Sequence, residues 1–170
     1  MRAAQELKAA IRDVPDFPKA GILFRDISPL LKSHFAATIE ALDELLTEEE
    51  WRAIDAVAGI ESRGFILGAA LALRRDKGFV LVRKQGKLPP PVVDVSYALE
   101  YGSGVLEMQR GQGRVVLIDD VLATGGTLSA SADLCLRAGY SVAALAVLID
   151  LKLVVDYRWR ELALRAVVNY

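Results

Sequence analysis

The sequence predicts an α/β fold, a mainly parallel twisted sheet flanked by helices, and three observations carry that reading. Apolar runs of strand length alternate with segments whose apolar residues recur at helical spacing, which implies parallel strands joined by crossover helices. One run, Val115-Val116-Leu117-Ile118, is apolar throughout, as a strand buried on both faces requires. It leads into two adjacent carboxylates, Asp119 and Asp120, and then into a small-residue loop that opens a helix. At 170 residues the chain suits one domain with a single well-buried core.

The elements follow in order. Residues 2–12 are amphipathic and predict a short helix, ended by a turn segment over 13–21. Phe35 to Leu46 carries apolar residues at helical spacing, with Ser33 as a cap. A strand over 55–60, a helix over 64–75 and a strand over 79–83 come next. Residues 84–95 are rich in Lys, Gly and Pro, with prolines at 89–91, and predict an exposed loop. Ser96–Tyr101 and Val105–Gln109 flank Gly102-Ser103-Gly104 and predict a hairpin. The chain closes with a strand over 114–118, a helix over 126–138 capped by Gly139, and strands over 142–149 and 163–169.

Composition excludes several classes. A net charge of −1 offers no global field for nucleic acid or an anionic membrane. One cysteine, Cys135, and one histidine, His34, cannot build a zinc site, and no EF-hand spacing exists. The N-terminus is amphipathic rather than a secretory signal, and no apolar run reaches transmembrane length. A soluble protein of the reducing cytoplasm is expected. The 53% apolar content favours a buried oligomer interface.

Chemistry is expected at the carboxyl ends of the strands. Ala123-Thr124-Gly125-Gly126-Thr127 offers unpaired backbone N–H groups at a helix N-terminus, where the dipole adds partial positive charge. No Lys follows the glycines, so this is not a Walker loop, and it is not a GxGxxG fingerprint. Asp119 and Asp120 suit hydroxyls or a divalent cation rather than phosphate, so the pattern fits a phosphorylated sugar. Glu61-Ser62-Arg63-Gly64 ends another strand; it lacks the Gly-x-Ser-x-Gly of a hydrolase elbow and reads as a second anion cradle or a plain helix start. Arg83, Lys84 and Lys87 form a cationic run that on composition alone is a solvated face. Their place before a long loop favours a binding segment, with Glu100 and Tyr101 on its far side. Asp16 to Pro29 is unusually apolar for a loop: Phe17, Leu23 and Phe24 either staple the first helix to the core or let Phe24 stack on a flat base.

Val115 to Thr127 resembles, along its whole length, the diphosphoribosyl-binding signature of the type I phosphoribosyltransferases. DFPKAGILFRDISPLL, GIESRGF, VRKQGKLP and SYALEYG resemble the adenine-type members of that family, and the likeness runs from about Asp16 to Asp150. The resemblance implies the type I phosphoribosyltransferase fold with a flexible hairpin loop and a small N-terminal hood. It implies transfer of phosphoribosyl from 5-phosphoribosyl 1-pyrophosphate (PRPP) to adenine, giving AMP and pyrophosphate, with Mg²⁺ held mainly by the substrate. Within a single domain over 1–170, residues 1–34 would form the base-binding hood and 84–109 the flexible catalytic loop and hairpin.

Carried onto this chain, Ala123, Thr124, Gly125, Gly126 and Thr127 would hold the 5′-phosphate, and Asp119 and Asp120 the ribose hydroxyls. Glu61, Ser62, Arg63 and Gly64, with Arg83, Lys84 and Lys87, would surround the pyrophosphate, the cations coming from the same or a neighbouring subunit. Leu23 and Arg25 would read adenine through main-chain groups with Phe24 packed on the ring. Glu100 would serve as the catalytic carboxyl near the base and Tyr101 would help close the loop. A homodimer is also implied. The chain departs from the pattern at Pro90, where many relatives have Gly, and at Glu61, where they often have Asp. Another purine base, or a PRPP-sensing regulator, would be the alternatives; a regulator would need a DNA-binding domain or a basic surface, and neither is visible.

Overall fold

The computed structural model describes residues 2–98 and 102–170. The strands order as β5-β6-β4-β3-β7-β8-β10-β9 in one sheet, with a separate hairpin of β1 and β2 beside it. The centre of the sheet is parallel. β3 (Ala56–Ile60) lies between β4 (Gly78–Lys84) and β7 (Gly113–Leu122), and β7 is followed by β8 (Tyr140–Asp150) and β10 (Leu162–Asn169). Its margins are antiparallel: β5 (Val92–Ala98) pairs with β6 (Ser103–Gln109), β6 with β4, and the short β9 (Arg158–Trp159) with β10.

Alternation along the central strands divides the core in two. Val116 and Ile118 face a layer with Leu67 and Leu71 of α5 (Arg63–Arg74), Ile39 and Leu42 of α3 (Phe35–Asp43) and Trp51. Val115 and Leu117 face the opposite layer, with Leu134 and Cys135 of α6 (Gly126–Ala138). Burial on both faces is why β7 reads as an unbroken apolar run. The parallel order also brings the carboxyl ends of β3, β4 and β7 to one edge, where α5 and α6 begin.

Several boundaries differ from the sequence reading. The first helix, α1 (Arg2–Ala10), stops earlier because Arg12–Pro15 forms β1 and pairs with β2 (Leu23–Asp26), so the expected turn segment starts as a strand. Ser33 does not cap α3; it ends a separate helix, α2 (Ser28–Ser33), and the residue before α3 is His34, whose side chain makes no cap. α3 ends at Asp43, and a further helix, α4 (Glu48–Arg52), follows with a capping box between Thr47 and Glu50. The expected loop over 84–95 is shortened because Val92 and Val93 already pair with Gln109 and Met108. β7 runs on past Ile118 to Leu122 because β8 continues to pair with it, as far as Asp150. Asp119 and Asp120 therefore lie inside the strand rather than just beyond it.

Arg165 of β10 clamps the start of α4. Its guanidinium donates to Glu50 Oε2 at 2.8 Å and to the carbonyl of Leu45 at 2.9 Å. Those hydrogen bonds, with the Thr47 N–H, hold the Glu50 carboxyl down to about 2 against an ordinary value of 4.5. A carboxylate with a depressed folded-state pKa stabilises the fold above its unfolded value and loses that contribution as pH falls through the folded one. Glu50→Gln should lower the urea midpoint at pH 7 and flatten its fall between pH 4.5 and about 2. Parallel curves for variant and wild type in that window would contradict the clamp.

Candidate functional site

The turn from β7 to α6 gives the site its floor. Gly125 has φ +85, in the left-handed region that side chains disfavour, and it stands at the N-cap of α6. No side chain caps this helix. The amides of Thr124 to Thr127 donate no hydrogen bond among the described residues, so they remain available at a helix N-terminus. A second helix begins beside them. α5 starts after Ser62, whose hydroxyl makes no cap bond either. The two helix starts, Asp119, Asp120 and Lys84 line one cavity of about 320 Å³, which also takes in Glu61, Ser62 and Arg63 and all of Ala123 to Thr127.

The acidic pair sits between the two helix starts and is largely buried, Asp119 9% and Asp120 6% exposed. Gly64 allows this closeness: a Cβ there would stand 3.0 Å from Asp119 Oδ1 and from the carbonyl of Ile118. Burial, and then the charge of Asp120, push the Asp119 carboxyl above the usual carboxylate range, against the pull of the Asp120 N–H at 2.8 Å. Arg63 Nε lies 2.8 Å from Asp120 Oδ2. The pairing is ionic only, and that buried oxygen accepts no hydrogen bond among the described residues. Donors brought by a ligand, hydroxyls or a hydrated cation, would satisfy it.

The cationic run separates into distinct roles. Lys84 lines the cavity. Arg83 instead braces Glu61, at 3.3 Å through both Nε and Nη2, and donates to the Lys87 carbonyl at 3.2 Å. Burial would raise the Glu61 carboxyl, but Arg83 and the Lys84 N–H together hold it below its ordinary value. Lys87 does not line the cavity; its amide is tied to Glu107. Glu107 is 3% exposed and accepts from the amides of Gly86, Lys87 and Leu88 at 3.0, 2.7 and 2.7 Å. Burial works against its ionisation, and those three N–H groups overcome it to keep the carboxyl low. The sequence reading missed Glu107. A lone acid inside an otherwise apolar strand, Leu106-Glu107-Met108, was its available signal.

The β1–β2 hairpin borders a second cleft of about 360 Å³, lined by Arg12, Val14, Phe17, Phe24, Asp26, Ser28 and Arg63. Phe17 meets Phe24 edge-on at 5.1 Å, and the Arg63 guanidinium stands 4.9 Å over the Phe24 ring. Arg63 thus borders both clefts and joins them. The Arg25 side chain turns away from the site, paired with Asp13 and stacked 3.8 Å over the ring of Tyr170, which leaves only its main chain for a ligand. Leu23 is 45% exposed at the hairpin rim. Glu100 and Tyr101 lie outside the described residues. Just before them, Tyr97 lines the cavity that holds the acidic pair, and the Ala98 carbonyl approaches to 3.5 Å of where a Cβ on Gly126 would stand. Tyr97 also escaped the sequence reading.

Chemically, this is a site with anion-binding helix starts at two ends, buried carboxylates between them and an aromatic cleft alongside. It fits a ligand with phosphate at both ends, hydroxyls in the middle and a flat partner at one flank. Comparison with known proteins agrees. Residues 30–161 match the phosphoribosyl transferase domain. The adenine phosphoribosyltransferase of Hydrogenovibrio crunogenus is 51% identical over 168 residues, covering 98% of this chain and 95% of that protein. The crystal structure of the Rhodothermus marinus adenine phosphoribosyltransferase superposes with a TM-score of 0.85 at 45% identity, covering 99% of each chain. That of Saccharomyces cerevisiae, solved with an imino-altritol bisphosphate and adenine, gives 0.87 at 34% identity over 98% of this chain and 99% of the other. With a family match over most of its length and relatives about half identical across nearly the whole chain, the chain belongs to the adenine phosphoribosyltransferase family.

Proposed function

We propose that the chain transfers the phosphoribosyl group of PRPP to adenine, giving AMP and pyrophosphate. The observation that carries this reading is the convergence of two uncapped helix starts on a buried acidic pair, with an aromatic cleft joined to them through Arg63. The amides of Thr124 to Thr127 hold the 5′-phosphate, and the α5 start with Ser62, Arg63 and Lys84 holds the pyrophosphate. Asp119 and Asp120 accept from the ribose hydroxyls. Departure of pyrophosphate leaves positive charge on the sugar, which these carboxylates stabilise from a buried position. Arg83 and Lys87 act on the pyrophosphate less directly, Arg83 through Glu61 and Lys87 through the turn that Glu107 shapes.

Adenine lies against Phe24, its edge read by main-chain groups of Leu23 and Arg25, while Glu100 serves as the proton-bearing group near the base and Tyr101 closes the loop. Closure excludes the water that would otherwise hydrolyse the activated sugar. Mg²⁺ enters with PRPP. Among the described residues no group of three or more His, Cys, Asp or Glu could hold a metal alone, whereas the under-bonded Asp120 carboxylate suits an ion that brings most of its ligands. When bound, the ion neutralises charge growing on the leaving pyrophosphate.

A homodimer is supported by Ile66 and Leu73, seven residues apart on one face of α5 and 44% and 84% exposed. A reducing, cytoplasmic setting fits a chain whose one cysteine, Cys135, is a buried free thiol. Among the described residues no helix is long and apolar enough to cross a membrane.

An assay of nucleotide and pyrophosphate formation with each purine base, PRPP and Mg²⁺ tests the reading. Turnover with adenine is expected; turnover only with guanine or hypoxanthine would reassign the base, and binding without turnover would indicate a sensor. Chelation should abolish activity and Mg²⁺ should restore it. Glu100→Gln should lower kcat by about a hundredfold, the scale of a lost general acid or base. Unchanged turnover in that variant would remove the proton-transfer role and leave only a hydrogen bond.

A further inference from the structure

We infer that Tyr157 is a positioning residue for the phosphate-binding turn, acting through the main chain of Gly125. It does not line the phosphoribosyl cavity and so does not reach the reacting atoms. The segment between β8 and β9 turns back over α6, and Tyr157 lands on the helix start. Its ring covers the outer side of the turn: a Cβ on Gly125 would stand only 2.4 Å from Tyr157 Cε2. That ring therefore occupies the space a side chain at Gly125 would need. Its hydroxyl lies 2.6 Å from Ser129 Oγ and donates to the Gly125 carbonyl at 3.4 Å. The same carbonyl accepts the Ser129 N–H at 2.9 Å, the first hydrogen bond at the start of α6.

A second aromatic residue fixes the brace in register. Two positions along the extended chain, Trp159 Nε1 donates to Asp133 Oδ1 at 3.0 Å. Ser129 and Asp133 are four apart on α6 and share a face, so two anchors hold its N-terminal half. An amide cradle binds phosphate well only if its backbone is already in the binding conformation, because ordering it on binding would subtract from affinity. Tyr157 pre-sets that conformation from the side away from the ligand. The inference rests on the phosphoribosyl reading of the cavity.

The test compares wild type with Tyr157→Phe, Tyr157→Ala and Ser129→Ala. It measures KM for PRPP and for adenine, ribose 5-phosphate affinity by calorimetry, and the melting temperature. Tyr157→Phe keeps the ring and loses the hydroxyl, so it should raise KM for PRPP by about two- to tenfold, the scale of one net hydrogen bond, and leave KM for adenine unchanged. Ser129→Ala should follow it, and Tyr157→Ala should be worse, with Phe recovering part of the loss. Ribose 5-phosphate affinity should fall in parallel. A purely structural role would lower the melting temperature and the active fraction while leaving both KM values and the affinity as they are. That result, in the Phe and Ser129 variants even if the Ala variant fails to fold, would overturn the inference. If the wild type binds ribose 5-phosphate but turns over no adenine, the enzyme reading fails while the brace is still judged on that affinity.

Discussion

Two adjacent carboxylates buried side by side inside β7 are the constraint around which the rest of this structure is arranged. Asp119 and Asp120 repel one another in a site that excludes most water, and the fold tolerates them because their surroundings are electropositive. Arg63 stands against Asp120, and two helix N-termini without side-chain caps border the same cavity. Gly64 lets α5 begin this close to the pair, and Gly125 lets α6 begin with its amides turned inward. The free chain thus holds together, at some electrostatic cost, the groups that a sugar carrying two anionic ends would satisfy.

A division of labour among the cations follows. Arg63 belongs both to the acidic pair and to the Phe24 ring, and so couples the cavity of the acidic pair to the aromatic cleft. Arg83, although it belongs to the same run as Lys84, spends its guanidinium on Glu61 and on the Lys87 carbonyl. Glu107 gathers three successive amides of that turn. Two carboxylates, Glu61 and Glu107, therefore shape the segment from Arg83 to Leu88 while Lys84 faces the cavity. The proline run at 89–91 follows directly, where fixed φ values carry the chain toward β5.

What the sequence made legible was local. The apolar run from Val115 and the glycines at 125 and 126 encode strand and helix start within thirteen residues, and the structure joins them in that order with the acidic pair taken into the strand. Relations across the fold were not legible. Arg12–Pro15 reads as a turn because its pairing with Leu23–Asp26 is a tertiary choice, not a pattern in either segment. α4 leaves little trace in the sequence beyond the capping box of Thr47 and Glu50, because five residues are too few for helical periodicity to register. The burial of Glu107, the outward turn of Arg25 and the landing of Tyr157 on Gly125 each depend on partners that are distant in the chain.

The central claim is that the turn from β7 to α6, with the acidic pair before it, is where a ribose 5-phosphate group is held. A crystal structure of the chain with AMP tests it most directly. The account predicts the 5′-phosphate within hydrogen-bond distance of the amides of Thr124 to Thr127, the ribose hydroxyls on Asp119 and Asp120, and the base against Phe24. A phosphate seated on the turn from Arg83 to Leu88, with the acidic pair still paired only to Arg63, would contradict it.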